Sequence, residues 1–132
     1  MDVSAYCTVS ISPVRSQPQD SSEMVTQLLF GEIVDIIEET PKWWKIRSYF
    51  DNYEGWVDPK QVKKLSKKEV GRWLNGLSYL NDLVTTIETT SGPQRIVRGS
   101  FISHDSETSF AIGNDHFGIT TPFSNTNYSS VT

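Results

Sequence analysis

Few groups in this chain could do covalent chemistry. Cys7 is the single thiol, and the two imidazoles are His104 and His116, each beside an aspartate in His104-Asp105 and Asp115-His116. A nucleophile needs a base within hydrogen-bond reach, and a metal needs several convergent ligands. Cys7 lies in the alternating run Ala5-Tyr6-Cys7-Thr8-Val9-Ser10-Ile11 with no basic neighbour, which predicts a buried, inert thiol. The histidine pairs fall at predicted strand ends or turns and lack a helix-borne or Cys/His ligand spacing, so they read as turn residues. The adjacent carboxylates Glu38-Glu39 end a predicted strand, and Gly31 and Gly113 stand alone rather than in a phosphate-cradling loop. No catalytic residue, metal or cofactor is expected from these groups. An enzyme using His104, His116 and a carboxylate would need them to converge in one cleft, and no motif asks for that.

The aromatic residues suggest binding instead. Trp43, Trp44, Tyr53 and Trp56 put four large rings within fourteen positions, on two predicted strands joined by a polar turn. Period-2 alternation cannot bury all of them on one face, so some are expected on the rim of a small barrel, placed to grip a small extended ligand. The elements that would position them are short. Strands are predicted at 5–11, 23–29, 33–38, 43–49, 53–57 and 62–65, with Pro13 to Pro18 in a long polar loop and Asp58-Pro59-Lys60-Gln61 as one helical turn. That spacing points to an all-β fold built on a small closed barrel. The period then changes. Ser66-Lys67-Lys68-Glu69 is a capping box, and Val70, Trp73, Leu74 and Leu77 follow at helical spacing, with Gly76 as the stop. Further short strands are predicted at 83–88, 95–97, 101–103, 109–112 and 116–119, and the sequence beyond Thr121 is small and polar.

Composition narrows the partners. The 132 residues carry a net charge of −4, which opposes nucleic-acid binding because phosphate contacts need a concentrated basic surface. Lys60, Lys63, Lys64, Lys67 and Lys68 form the one basic cluster and read as a solvated face. A lone cysteine excludes an internal disulfide framework. The first twenty residues lack the apolar run of a signal peptide and no segment is long enough to span a membrane, so with Met1 as the start the expected location is cytoplasmic, with no membrane partner.

Several motifs add a family. Pro13-Val14-Arg15 with Pro18, the run Ser22-Glu23-Met24-Val25-Thr26-Gln27-Leu28-Leu29-Phe30-Gly31-Glu32, Trp44-Lys45-Ile46 and Tyr53-Glu54-Gly55-Trp56-Val57 lie within Ser12 to Val62. This segment resembles a bacterial SH3 (SH3b) domain, specifically the N-terminal one of NlpC/P60 cell-wall cysteine peptidases. The resemblance implies an SH3-like barrel over 1–65, a linker helix over 66–78, a second, smaller SH3-like β unit over 79–121, and a polar tail or truncated linker over 122–132. Members cleave the bond between γ-D-glutamate and the diamino acid of stem peptides, often during muropeptide recycling. Their Asp-Cys-Ser-Gly motif does not occur in this sequence, so catalysis does not transfer. The resemblance leaves either a region of a peptidase whose catalytic domain is elsewhere or a stand-alone targeting module. It also implies that the first barrel recognises the free amino end of an L-Ala-γ-D-Glu peptide, with Glu23 and Tyr53 at the matching positions and Trp44 and Trp56 as the accompanying rim aromatics. A carboxylate suits an ammonium through charge-assisted hydrogen bonds, and a phenol adds a hydrogen bond and a wall.

The competing expectation is a eukaryotic-like SH3 adaptor for proline-rich peptides, invited by Trp43-Trp44 and Gly55-Trp56-Val57. Against it, Asp58-Pro59-Lys60-Gln61 stands where the Pro-Ser-Asn-Tyr stretch of such adaptors would supply a groove tyrosine.

Overall fold

Strand β1 (Val3–Cys7) explains the architecture, because both of its faces are covered. The computed structural model describes residues 3–103, 109–119 and 125–127. Ala5 and Cys7 point into one core with Val14, Leu28, Val34, Ile46, Val57 and Val62, while Tyr6 points the other way into a second core. Strands β2 (Ile11–Arg15), β3 (Met24–Leu29), β4 (Ile33–Glu39), β5 (Trp44–Ser48), β6 (Glu54–Val57) and β7 (Val62–Leu65) join β1 in a sheet of order β3-β2-β6-β5-β4-β1-β7. Its two ends share one interior, since Leu28 and Val62 belong to the same core and the Ser12 hydroxyl lies 2.6 Å from Gln61 Oε1. The sheet therefore curls into a barrel, as expected.

Two boundaries differ from expectation. The first predicted strand is broken by a bend at Ser10, and Pro13-Val14-Arg15, read as loop, completes β2. Pro13 is tolerated because β2 pairs along its length with β3 but with β6 only at Arg15, so no second ladder needs a donor at position 13.

Helix α1 (Lys67–Asn75) has the expected capping box, with Ser66 and Glu69 satisfying each other's backbone N–H groups, and ends at Gly76. Leu77, read as the last residue of the helical stripe, instead opens strand β8 (Leu77–Leu80). The second β unit continues with β9 (Val84–Thr89), β10 (Gly92–Val97), β11 (Phe101–Ser103), β12 (Ser109–Ile112), β13 (Asp115–Ile119) and β14 (Asn125–Asn127). Their sheets have the orders β10-β9-β13-β12 and β11-β8-β14. Strand β14 lies in the segment expected as a polar tail, because its backbone pairs with β8.

The helix does not hold two separate units apart. Tyr6, Phe30, Ile33 and Leu65 of the barrel, Val70 and Trp73 of α1, and Leu80, Ile87, Phe101, Phe110 and Phe117 of the second unit share one core. Trp73 Nε1 donates to the Gly31 carbonyl at 3.0 Å, and the Phe101 amide donates to the Phe30 carbonyl at 2.8 Å.

Candidate ligand-binding site

Strand register sorts the four aromatic and acidic candidates. The Ser16 amide donates to the Glu23 carbonyl, and the Ser48 amide donates to the Tyr53 carbonyl, so the ladders extend to both residues. Arg15 pairs with Trp56; carrying that register one residue further sets Ser16 against Gly55, between Glu23 on one side and the start of β6 on the other. Gly55 and Val57 face the barrel interior, and the same alternation brings Tyr53 to that face at the barrel mouth. Glu23, opposite Ser16, belongs to the same face. Only a glycine fits at position 55, where a Cβ would lie 2.5 Å from Val14 Cγ1 and 2.7 Å from the Arg15 carbonyl oxygen. Tyr53 is 55% exposed, and Val25, at the β3 bulge beside Gly55, leaves apolar surface open at this mouth, whereas Met24 lies opposite Arg15 on the outer face. Among the described residues, neither the Glu23 carboxylate nor the Tyr53 hydroxyl has a side-chain partner.

Trp44 and Trp56 are not at this mouth. Trp44 pairs with Val57 at the far end of β6 and packs against the barrel interior. Lys64 Nζ lies 5.1 Å from the Trp44 ring centroid and 2.7 Å from Glu39 Oε1, so Trp44 helps to close the opposite end. Trp56 pairs with Lys45 and Arg15 and lies on the outer face.

Trp43 marks a feature that the sequence did not disclose. It lines an outer-face groove of about 410 Å³ together with Asp20, Pro41, Lys42, Asp58, Pro59 and Lys60. The residues that meet here are far apart in the chain, so no local pattern announces the groove.

Burial pushes the Cys7 thiol up to about 12, its hydrogen bond to the Val9 carbonyl opposing only in part, so it is protonated at neutral pH. His116 is exposed and, with Asp115, lines a polar cleft of about 150 Å³ at the seam between barrel and second unit. There the Tyr6 hydroxyl donates to Asp115 Oδ2, and Lys63 Nζ donates to Asp115 Oδ1 at 2.8 Å. Burial, the Asp115 hydrogen bond and the nearby Asp115 charge all push the Tyr6 phenol well above its ordinary range. Desolvation alone would raise the Asp115 carboxyl, but Lys63, Tyr6 and the His116 charge outweigh it and hold the group below its usual value. His104 lies outside the described residues. No group of three or more His, Cys, Asp and Glu that could hold a metal occurs among the described residues, and no helix there is long and apolar enough to cross a membrane.

A curled antiparallel sheet with a polar loop between β2 and β3 and a 3-10 turn (Pro59–Gln61) before its last strand defines an SH3-like barrel. Residues 14–62 match the family model of the bacterial dipeptidyl-peptidase SH3 domain, and that segment is a bacterial SH3 domain. The whole chain is similar in fold to the crystal structure of an NlpC/P60 family protein from Bacillus cereus, with a TM-score of 0.69 over 94% of this chain at 12% identity. This chain spans 56% of the length of that protein. No curated protein matches it. The matched family model is that of an SH3 domain and not of a peptidase domain, and the Asp-Cys-Ser-Gly nucleophile motif does not occur in the sequence.

Proposed function

We propose that this chain is a non-catalytic recognition region of an NlpC/P60-type cell-wall peptidase, whose barrel mouth holds the free amino end of an L-Ala-γ-D-Glu peptide. Glu23 pairs with the ligand ammonium, Tyr53 offers its hydroxyl and ring, and the apolar surface of Val25 receives the alanine methyl. What supports this reading is that the ladders run on to Glu23 and Tyr53 through the Ser16 and Ser48 amides, and that strand alternation carried to these two residues turns both toward one face. A catalytic domain of the NlpC/P60 type supplies the chemistry and the other wall of the pocket. In this role the protein acts in cytoplasmic muropeptide recycling.

Titration of the full chain with L-Ala-γ-D-Glu, followed by NMR, tests the assignment. The Tyr53 ring and Glu23 amide signals are expected to move, and Glu23→Gln is expected to weaken binding about tenfold, the size of one lost charge-assisted hydrogen bond. Equal binding by Glu23→Gln would overturn the assignment.

A further inference from the structure

The polar cleft at the seam takes no part in the Glu23 and Tyr53 mouth and has a chemistry of its own. Tyr6 and Thr8 come to it from the barrel, while Thr90, Ser91, Gln94 and His116 come from the second unit.

Its walls are held in place. Gln94 Nε2 donates to the Thr8 carbonyl at 3.0 Å, which ties the end of β1 to β10 across the seam. Thr89 Oγ1 donates to the Gly92 carbonyl at 2.8 Å and accepts from the Ser91 amide at 3.0 Å, so the β9–β10 turn has a fixed shape. The Phe117 ring, also in the lining, stacks on Phe110 at 5.2 Å and meets Phe30 edge-on at 5.3 Å.

Other groups in the cleft are unused. Among the described residues, the hydroxyls of Thr8, Thr90 and Ser91 and the His116 ring have no hydrogen-bond partner. Gln94 keeps its Oε1 as an acceptor. Asp115 receives Tyr6 and Lys63 on separate oxygens, so each oxygen retains an open lone pair. The one carboxylate is matched by one ammonium, 2.8 Å away, and the cleft therefore offers hydrogen bonds without surplus charge from this pair. An anionic ligand would meet Asp115, and a cationic one would meet Lys63. At about 150 Å³ the space is well below the roughly 300 Å³ at which drug-sized pockets begin, so it takes one small ring and not a chain.

We propose that this seam cleft is a binding site for a single neutral sugar ring. The sugar hydroxyls donate to Gln94 Oε1 and Asp115 and accept from Thr8, Thr90 and Ser91, and an apolar C–H face lies towards Phe117. The site does not depend on the role of Glu23 and Tyr53.

The test is an NMR titration of the full chain with methyl β-D-glucopyranoside, its 6-amino-6-deoxy counterpart and the corresponding glucuronide. The neutral glycoside is expected to move the Thr90, Ser91 and His116 amides, and each charged analogue is expected to bind several-fold more weakly. A double variant, Thr90→Ala with Ser91→Ala, changes two exposed side chains, keeps the amide that bonds Thr89, and is expected to fold and to bind about tenfold more weakly. No movement of these amides up to about 100 mM glycoside would overturn the proposal. Equal or tighter binding of a charged analogue, or unchanged binding by the double variant, would overturn it too, as would shifts centred on Trp43 or Tyr53.

Discussion

At Gly31 the backbone has a φ of +83°, and a Cβ there would lie 2.4 Å from the Phe101 carbonyl oxygen. The neighbouring atoms are the Phe101 carbonyl and Cβ, not the far end of a flexible side chain, so an added methyl has nowhere to go. The Gly31 carbonyl also accepts from Trp73, which brings the barrel, α1 and β11 together at one residue. Gly31→Ala is expected to cost about 3 kcal/mol, combining left-handed strain with overpacking, and urea unfolding monitored by tryptophan fluorescence measures it. A loss under about 1 kcal/mol would mean that β11 moves away cheaply. Cys7 is a second residue with a definite expectation. With its thiol buried and pushed up to about 12, alkylation at neutral pH is expected to require unfolding. Alkylation of the native protein as fast as of the urea-unfolded chain would contradict that burial.

Among the elements, α1 is short enough that its cap matters. Ser66→Ala removes a hydroxyl that accepts from the Glu69 amide at 3.1 Å, and a loss of about 1 kcal/mol is expected in the same unfolding assay. This helix was legible from sequence because a capping box and a glycine stop are local signals, and β7 was legible for the same kind of reason. Strand β8 was not. Leu77 falls where the helical stripe would continue, and only pairing with β11 and β14, far along the chain, makes it a strand. Asn125-Thr126-Asn127 has no hydrophobic alternation at all, so β14 exists through its partner. The site divides in the same way. Glu23 and Tyr53 came from the motif resemblance, whereas the meeting of Asp20, Trp43 and Asp58 depends on how two turns and the end of β6 come together, which no spacing records.

For the molecule as a whole, the shared core makes barrel and second unit one cooperative structure. A fragment of residues 1–65 would leave Tyr6, Phe30, Ile33 and Leu65 facing water, an exposed apolar surface that favours association. It is expected to give poorly dispersed or concentration-dependent NMR spectra where the full chain gives sharp, dispersed ones; a well-dispersed monomeric fragment would contradict the shared core. The seam also carries a pH dependence. The folded Asp115 carboxyl titrates below its ordinary value of 3.8, so its contribution to stability is complete above that value and is lost as pH falls through the lower folded value. Asp115→Asn is accordingly expected to flatten the acid limb of the stability profile while Tyr6 stays buried.

The recognition claim itself is tested most directly by a crystal structure of the full chain with L-Ala-γ-D-Glu. The account predicts the alanine nitrogen within about 3 Å of the Glu23 carboxylate, with the Tyr53 hydroxyl also in hydrogen-bond reach. A dipeptide bound with its amino end in solvent, or seated away from the barrel mouth, would contradict it.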